Sequence, residues 1–231
     1  MSVIVLCPTR GRPQAALEVL TTFEATVADE QYTDIRFVVD ADDPTLPDYS
    51  RLVGDYHVMV GPAPSNMVKA LNWAACKLLD DVLGIEILGF VGDDHRFRSD
   101  DWDTIVRAAL AEPGIAYGDD LFQRERLPTQ AFVSADIVHA LGWMALPGCR
   151  HLYVDDAWAH LGAAIGNLIY MPDVVIEHMH PLAGKADWDE GYRRVNDQSV
   201  YNSDWIVFDV WRTSQLAADA ERVKAVISVP G

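Results

Sequence analysis

The stretch Ile87-Leu88-Gly89-Phe90-Val91-Gly92-Asp93-Asp94-His95 is an apolar run that stops abruptly at two carboxylates and an imidazole. The run reads as a buried strand, and in an open α/β sheet ligands bind beyond the carboxyl ends of the strands. An Asp-Asp-His group delivered to such an end suits a divalent metal and a phosphorylated ligand, because hard cations take carboxylate oxygens and leave positions open for phosphates. Taken alone, the same two acids also suit a solvated loop, so the rest of the chain decides between the readings.

Upstream, Ser65 is a suitable N-cap for a helix in which Met67, Leu71, Ala74, Leu78 and Val82 recur at three- and four-residue spacing, an amphipathic pattern of about five turns that leads into the strand. Val3 to Cys7 is another continuous apolar run, ended by Pro8-Thr9-Arg10-Gly11-Arg12-Pro13, which reads as a strand covered on both faces and then a sharp loop. A helix with Ala16, Leu17, Leu20 and Phe23 on its inner face should follow. Ile35 to Val39 repeats the pattern and ends at Asp40-Ala41-Asp42-Asp43-Pro44, and His57 to Val60 is a weaker third strand. Strands alternating with helices predict an α/β fold, a Rossmann-like and mostly parallel sheet with helices on both faces, whose polar strand ends share one rim.

Downstream the pattern is less regular. Asp101 to Leu110 reads as a helix, Ala131 to Val133 as a short strand, and Val154, Trp158, Leu161 and Ile165 as one face of a further helix. Asn167 to Met171 and Val174 to Glu177 read as two short strands around Pro172, followed by His178-Met179-His180-Pro181. Gly184 to Asp204 is polar and aromatic and is expected to loop over the site, and Trp205 to Val226 is expected to close the fold as one helix.

With 231 residues, half of them hydrophobic, the chain suffices for one substantial core, and a single domain over 1–231 is expected. The formal charge of −17 argues against strong nonspecific nucleic-acid binding, which rests on Lys and Arg. Val3 to Cys7 is too short for a signal segment, and no run approaches the roughly 20 apolar residues that span a bilayer. A protein without membrane contact, located in the cytoplasm, is therefore expected. Cys7, Cys76 and Cys149 lie far apart, which suggests neither a disulfide framework nor a thiolate zinc site.

Four polar clusters follow apolar elements or open a helix: Thr9 to Arg12, Asp93 to His95, Asp155-Asp156, and His178 with His180. Two arginines in a Pro-bounded loop at a strand end favour an anion. Imidazole beside carboxylate shifts preference from magnesium toward manganese or a softer ion, so Mn2+ or Mg2+ is the expected cofactor. A separate carboxylate can then take a proton from an attacking hydroxyl, although Asp155 at a helix start also suits an N-cap. Asp119-Asp120 follows Ile115 to Gly118 as a further strand-end pair and reads as a loop on the acceptor side.

In this order, from Val3 to Pro181, the motifs resemble the metal-dependent, nucleotide-sugar-dependent glycosyltransferases of the type A fold, most of all the large inverting family-two group. Val3 to Arg12 resembles the first strand and its nucleotide loop, with Thr9, Arg10 and Arg12 as donor contacts, and Val38-Val39-Asp40 resembles the second strand, whose terminal Asp contacts the base. Gly61 to Asn72 is similar to the segment closing over the nucleoside, with Asn66, Lys69 and Asn72 as polar contacts. Phe90 to His95 resembles the Asp-x-Asp metal motif, and Tyr153 to Trp158 the Glu-Asp pair whose second acid, here Asp156, is the catalytic base. Ile169 to His178 resembles the strands leading to the C-terminal metal histidine.

The resemblance implies a donor half (1–100), an acceptor half (101–181) and a lid with a closing helix (182–231). It implies transfer of a sugar, from UDP by default, to an acceptor hydroxyl with inversion. The acceptor can be a glycan, a protein, a lipid-linked sugar, a small molecule or a modified nucleobase. The chain fits a small intracellular enzyme, in the host cytoplasm if phage-encoded.

The chain also departs from the pattern. If Ser99-Asp100 matches the usual Pro-Asp, Gly92 falls on the first acid of the metal motif and Asp94 on the second, which leaves Asp93 to substitute or to bind the ribose. Asp155 replaces the usual Glu, so the base is Asp155 or Asp156, and the metal histidine is His178 or His180. Lys185, Trp188, Arg193 and Arg194 are candidate lid residues, Trp188 for stacking and the cations for the diphosphate. A sugar nucleotidyltransferase would want a Gly-x-Gly-x-x-Arg first loop, which Thr9 to Pro13 lacks. A metal-dependent phosphohydrolase, or a nucleotide-sugar or glycan-binding module without turnover, uses the same residue types.

Overall fold

A computed structural model describes residues 1–63, 65–188, 193, 195 and 197–227. Its strands and helices run, in chain order, β1 (Ser2–Thr9), α1 (Pro13–Thr26), β2 (Thr33–Asp40), α2 (Leu46–Val53), β3 (Val58–Gly61), α3 (Met67–Asp81), β4 (Ile85–Phe90) and β5 (His95–Phe97). They continue as α4 (Trp102–Ala109), β6 (Ile115–Asp119), β7 (Ala131–Ser134), α5 (Ala135–Leu141), α6 (Val154–Ile165), β8 (Leu168–His178), α7 (Gln198–Ser214) and α8 (Leu216–Ile227).

The strands form one sheet in the order β3-β2-β1-β4-β7-β6-β8-β5. Strands β1 to β4 pair in parallel, as the βαβα alternation predicts. The second half does not stay parallel: β7 runs antiparallel to both β4 and β6, and β5 antiparallel to β8. The cause is connection length. A parallel return needs a crossover of a dozen or more residues, whereas β6 and β7 are joined by residues 120–130 with no long helix between them. The four residues after β4 likewise deliver β5 to the far edge, where His95 pairs with His178.

Each face of the sheet carries its own apolar core. Val3, Val5, Ile35, Phe37, Phe97 and Phe132 pack against α1, α2 and α4, with Trp102 fully buried among them. Leu6, Leu88, Ile115 and Val133 face α3, α5, α6 and the C-terminal helices, and Trp143, Trp158 and Trp211 lie in that second cluster. Every residue of β1 except its first and seventh is buried, the pattern of a strand covered on both sides.

Several expectations shift in detail. Asn66, not Ser65, caps α3, its side chain accepting from the Lys69 amide at 3.0 Å, while Val82 is 43% exposed and lies outside the helix. On α1, Val19 joins Ala16, Leu20 and Phe23 in the core and Leu17 is only half-buried. The two strands around Pro172 are one strand, β8, with a register break where Gly118 pairs with Met171 and Asp119 with Val175. Gly118 permits that break, because a Cβ there would collide with the Val174 carbonyl oxygen. The closing helix is two helices, α7 and α8, and α2, α5 and β5 are elements the apolar pattern did not announce. No helix among the described residues is long and apolar enough to cross a membrane.

Candidate active site

Strands β1, β2 and β4 end side by side, and their polar loops meet above the sheet. Thr9 donates to the Asp93 carboxylate at 2.7 Å and shares a 2.9 Å hydrogen bond with the Tyr49 hydroxyl. Arg12 reaches the other Asp93 oxygen at 2.7 Å, and its own amide donates to Tyr49. Arg10 bridges Asp40 and Asp42 at 2.9 and 2.6 Å, while the Gly11 amide donates to the buried Asp43. Tyr49 belongs to α2, so a helix without a sequence signal positions the first loop. Burial pushes the pKa of Asp93 up to about 6, with Arg12 opposing it.

Asp94 lies on the other side of that loop and turns toward the far half of the chain. Its Oδ2 lies 3.2 Å from His178 Nε2, 84 residues away in sequence, and its Oδ1 lies 3.2 Å from His95 Nδ1. The two imidazoles stack with centroids 4.3 Å apart. One donor atom from each of Asp94, His95 and His178 falls within 4.8 Å of the others, the only such group of three found among the described residues. Burial opposes the Asp94 carboxylate, but the two histidines outweigh it and hold its pKa well below the usual range. His178 is likewise opposed by burial, yet Asp120 and Asp94 push its pKa up to about 9. An imidazolium between two carboxylates is the charge arrangement that a cation can replace. Burial, then His178, lowers the pKa of His95, in the direction of the neutral form that metal ligation requires.

His178 has a support that the sequence did not identify. Asp120 is 1% exposed and lies 3.8 Å from His178 Nδ1. One of its oxygens accepts from the amides of Phe122, Gln123 and Arg124, and the other from Thr129. It is thus a fixed anion behind the histidine and the anchor of its own loop, rather than an acceptor-side residue. His180 adds no donor to the group of three. Its Nδ1 accepts from the Leu182 amide, and its ring stacks on Phe122.

The acid pair opens α6, preceded by Tyr153 in the left-handed conformation at φ 63°. The loop before it is held by Asp204 of α7, fully buried, whose Oδ2 accepts from the amides of Arg150, His151 and Leu152 at 3.0, 2.9 and 3.0 Å. Burial and Asp156 raise the pKa of Asp155, against the backbone amides of Asp156 and Asp155 and, least of all, the charge of His178. Burial also raises Asp156, but its opposing charge is His160, one turn along the helix. Asp155 does not cap the helix: its Oδ1 accepts from the adjacent Asp156 amide and Tyr153 holds the cap position.

Other sequence candidates take different places. Asn72 accepts from the Met144 and Ala145 amides and donates to the Ala145 carbonyl, tying α3 to the loop after α5. Lys69 is exposed. Lys185 pairs with Glu177, which also holds Arg98. Trp188 is 38% exposed with its ring nearly perpendicular to that of His180, Arg193 is exposed, and Arg194 lies outside the described residues.

No family model matches this sequence, and no curated protein matches it. Solved structures do match. A mannosyltransferase from Pyrobaculum calidifontis, in complex with GDP-Man and Mn2+, is 14% identical and superposes with a TM-score of 0.58 over 99% of this chain and 75% of its own. TarS of S. aureus in complex with UDP is 10% identical at 0.60, over 99% and 71%. Glucosyl-3-phosphoglycerate synthase from Mycobacterium tuberculosis, in complex with Mn2+, UDP and phosphoglyceric acid, is 9% identical at 0.60, over 92% and 78%. The chain has the fold of the type A nucleotide-sugar glycosyltransferases.

Proposed function

We propose that this protein is a metal-dependent glycosyltransferase that moves a sugar from a nucleoside-diphosphate donor, UDP-linked by first expectation, to an acceptor hydroxyl with inversion. The observation that carries the reading is the meeting of Asp94 and His178 at 3.2 Å, built from two distant strands at the rim where this fold binds ligands. Asp94 and His178 hold Mn2+ or Mg2+, and the complexes of neighbouring structures with Mn2+, UDP and GDP-Man support both ion and donor class. When bound, the ion neutralises the leaving diphosphate.

The chain's own groups supply the rest. Thr9, Arg12 and Asp93 shape the loop beneath the donor, and Asp40, steered by Arg10, faces the base. Asp155 rather than Asp156 is taken as the general base, since burial and the neighbouring Asp156 raise its pKa toward neutrality, where a carboxylate both takes and releases a proton. The acceptor hydroxyl gives its proton to Asp155 as its oxygen bonds to the anomeric carbon and the bond to the diphosphate breaks. The acceptor is a glycan, a protein, a lipid-linked sugar, a small molecule or a modified nucleobase, met in the cytoplasm, and Lys185, Trp188 and Arg193 close over the donor.

Calorimetric titration of UDP, GDP and their sugars with manganese, magnesium or chelator tests the donor site. One nucleotide sugar should bind in a metal-dependent way to wild type and not to Asp94→Ala. Absence of binding under every condition removes the reading and favours a phosphohydrolase or a glycan-binding module. With a donor in hand, Asp155→Asn should lower transfer by about 10²- to 10⁴-fold with donor affinity kept, and Asp156→Asn by far less. The reverse ranking reassigns the base.

A further inference from the structure

The position of the missing acid is filled in this structure. A Cβ on Gly92 would stand 2.5 Å from Asp94 Oδ1 and 3.2 Å from His95 Nδ1, so no side chain fits at residue 92 while Asp94 and His95 keep their places. The Gly92 amide donates to His95 Nδ1 at 3.1 Å, which fixes the ring against the loop. His95 is 3% exposed, and its Nε2 is buried with no hydrogen-bond partner among the described residues. With Nδ1 accepting from Gly92, the neutral ring carries its proton on Nε2, so the nitrogen that can ligate is Nδ1, the one 3.2 Å from Asp94 Oδ1, in exchange for the Gly92 amide and in a ring stacked on His178.

From this geometry we infer that His95 takes the part of the absent first acid and is a third protein ligand, giving a site of one carboxylate and two imidazoles from Asp94, His95 and His178. The inference deepens the proposed function and rests on its metal site, but it concerns ligand identity and ion choice alone. Two nitrogen donors and one oxygen donor carry one negative charge where two acids would carry two. Magnesium, which wants oxygen ligands and gives up water reluctantly, is disfavoured relative to manganese and cobalt. Gly92 and His95 thereby act as one substitution: the acid is absent, and the space it would use holds the Asp94 carboxylate with the His95 ring beside it.

The test uses the full chain and the metal ions alone, without nucleotide or acceptor. Calorimetry should show Mn2+ and Co2+ binding at least about tenfold more tightly than Mg2+. His95→Gln, which keeps a polar side chain of similar reach, should lose about 10- to 100-fold in Mn2+ affinity and little in Mg2+ affinity. Because a buried histidine can be needed for folding, pulsed EPR of Mn2+-loaded wild type gives an independent readout, with nitrogen modulation from two imidazoles expected. Modulation from a single imidazole, equal Mg2+ and Mn2+ affinity, or a folded His95→Gln with unchanged Mn2+ affinity overturns the inference. Metal-dependent donor binding that survives such a result would leave the glycosyltransferase reading standing.

Discussion

Asp204 of α7, which grips the short loop before α6, and Asp155, in the first turn after that loop, are held in opposite ways. Asp204 is fully buried and is met by three backbone amides in a row. Asp155, in the first turn of the helix that follows the loop, neighbours another carboxylate, and burial and Asp156 lift its pKa. The contrast recurs across the molecule. Asp103 is fully buried but takes the Ala28 and Asp29 amides, Thr33 and Arg107, and Asp120 is similarly saturated. Of Asp93 and Asp94, next to each other at the rim, the first meets Thr9 and Arg12 and the second two histidines. Saturated acids are tie points that set loops in place, and the loops they set present acids of two kinds, Asp93 and Asp155 with their pKa raised by burial and Asp94 with its own lowered by two histidines. Such groups are poised for a proton or a cation, at a cost in stability that the tie points offset.

Removing a tie point should have the largest effect. Asp204→Ala leaves three amides without their acceptor and is expected to cost on the order of 3–5 kcal/mol, or roughly 10 °C in Tm for a chain of this size. Thermal denaturation checks it, and a loss below about 1 kcal/mol would erase the distinction between the two kinds of acid.

Removing the poised acid should act in the other direction. In the presence of chelator at pH 8, Asp155→Asn is expected to raise stability by about 1 kcal/mol, or roughly 2–4 °C, while transfer is lost. A drop in Tm would mean that Asp155 is itself a tie point. The pH dependence sharpens the contrast. A carboxyl whose folded pKa lies near 7 binds its proton more tightly in the folded chain than in the unfolded one, where it titrates near 4. Its ionisation therefore lowers stability as pH rises from about 4 to about 7, so the advantage of Asp155→Asn should be full above pH 7 and vanish toward pH 4. A flat difference across that window contradicts the raised pKa.

Much of this arrangement was legible in the sequence because its cause is local. The apolar runs Val3 to Cys7, Ile35 to Val39 and Ile87 to Val91 have to be covered strands, and the helical spacing between them leads to a parallel sheet whose polar ends share a rim. The residues at and after those strand ends, Thr9, Arg10, Arg12, Asp40, Asp93 and Asp94, are therefore candidates on the sequence alone. What stayed hidden has non-local causes. Asn72 looked like a ligand contact and is an internal brace, and Asp120 looked like a loop acid and is the anion behind His178. A polar residue's type is written in the sequence, but the partner that consumes it is set by packing.

The sequence by itself determined which residues form strands, which ends carry polar groups, and which chemistry those groups allow, since periodicity and residue type act over a few neighbouring positions. Only the tertiary structure decided that β5 crosses to the far edge to place His95 beside His178, that the Asp94 and His95 side chains fill the space beside Gly92, and that Asp155 is raised by burial and by Asp156. Those outcomes depend on contacts between segments as much as 84 residues apart, whose distances and burial, and therefore charges, exist only once the chain has folded.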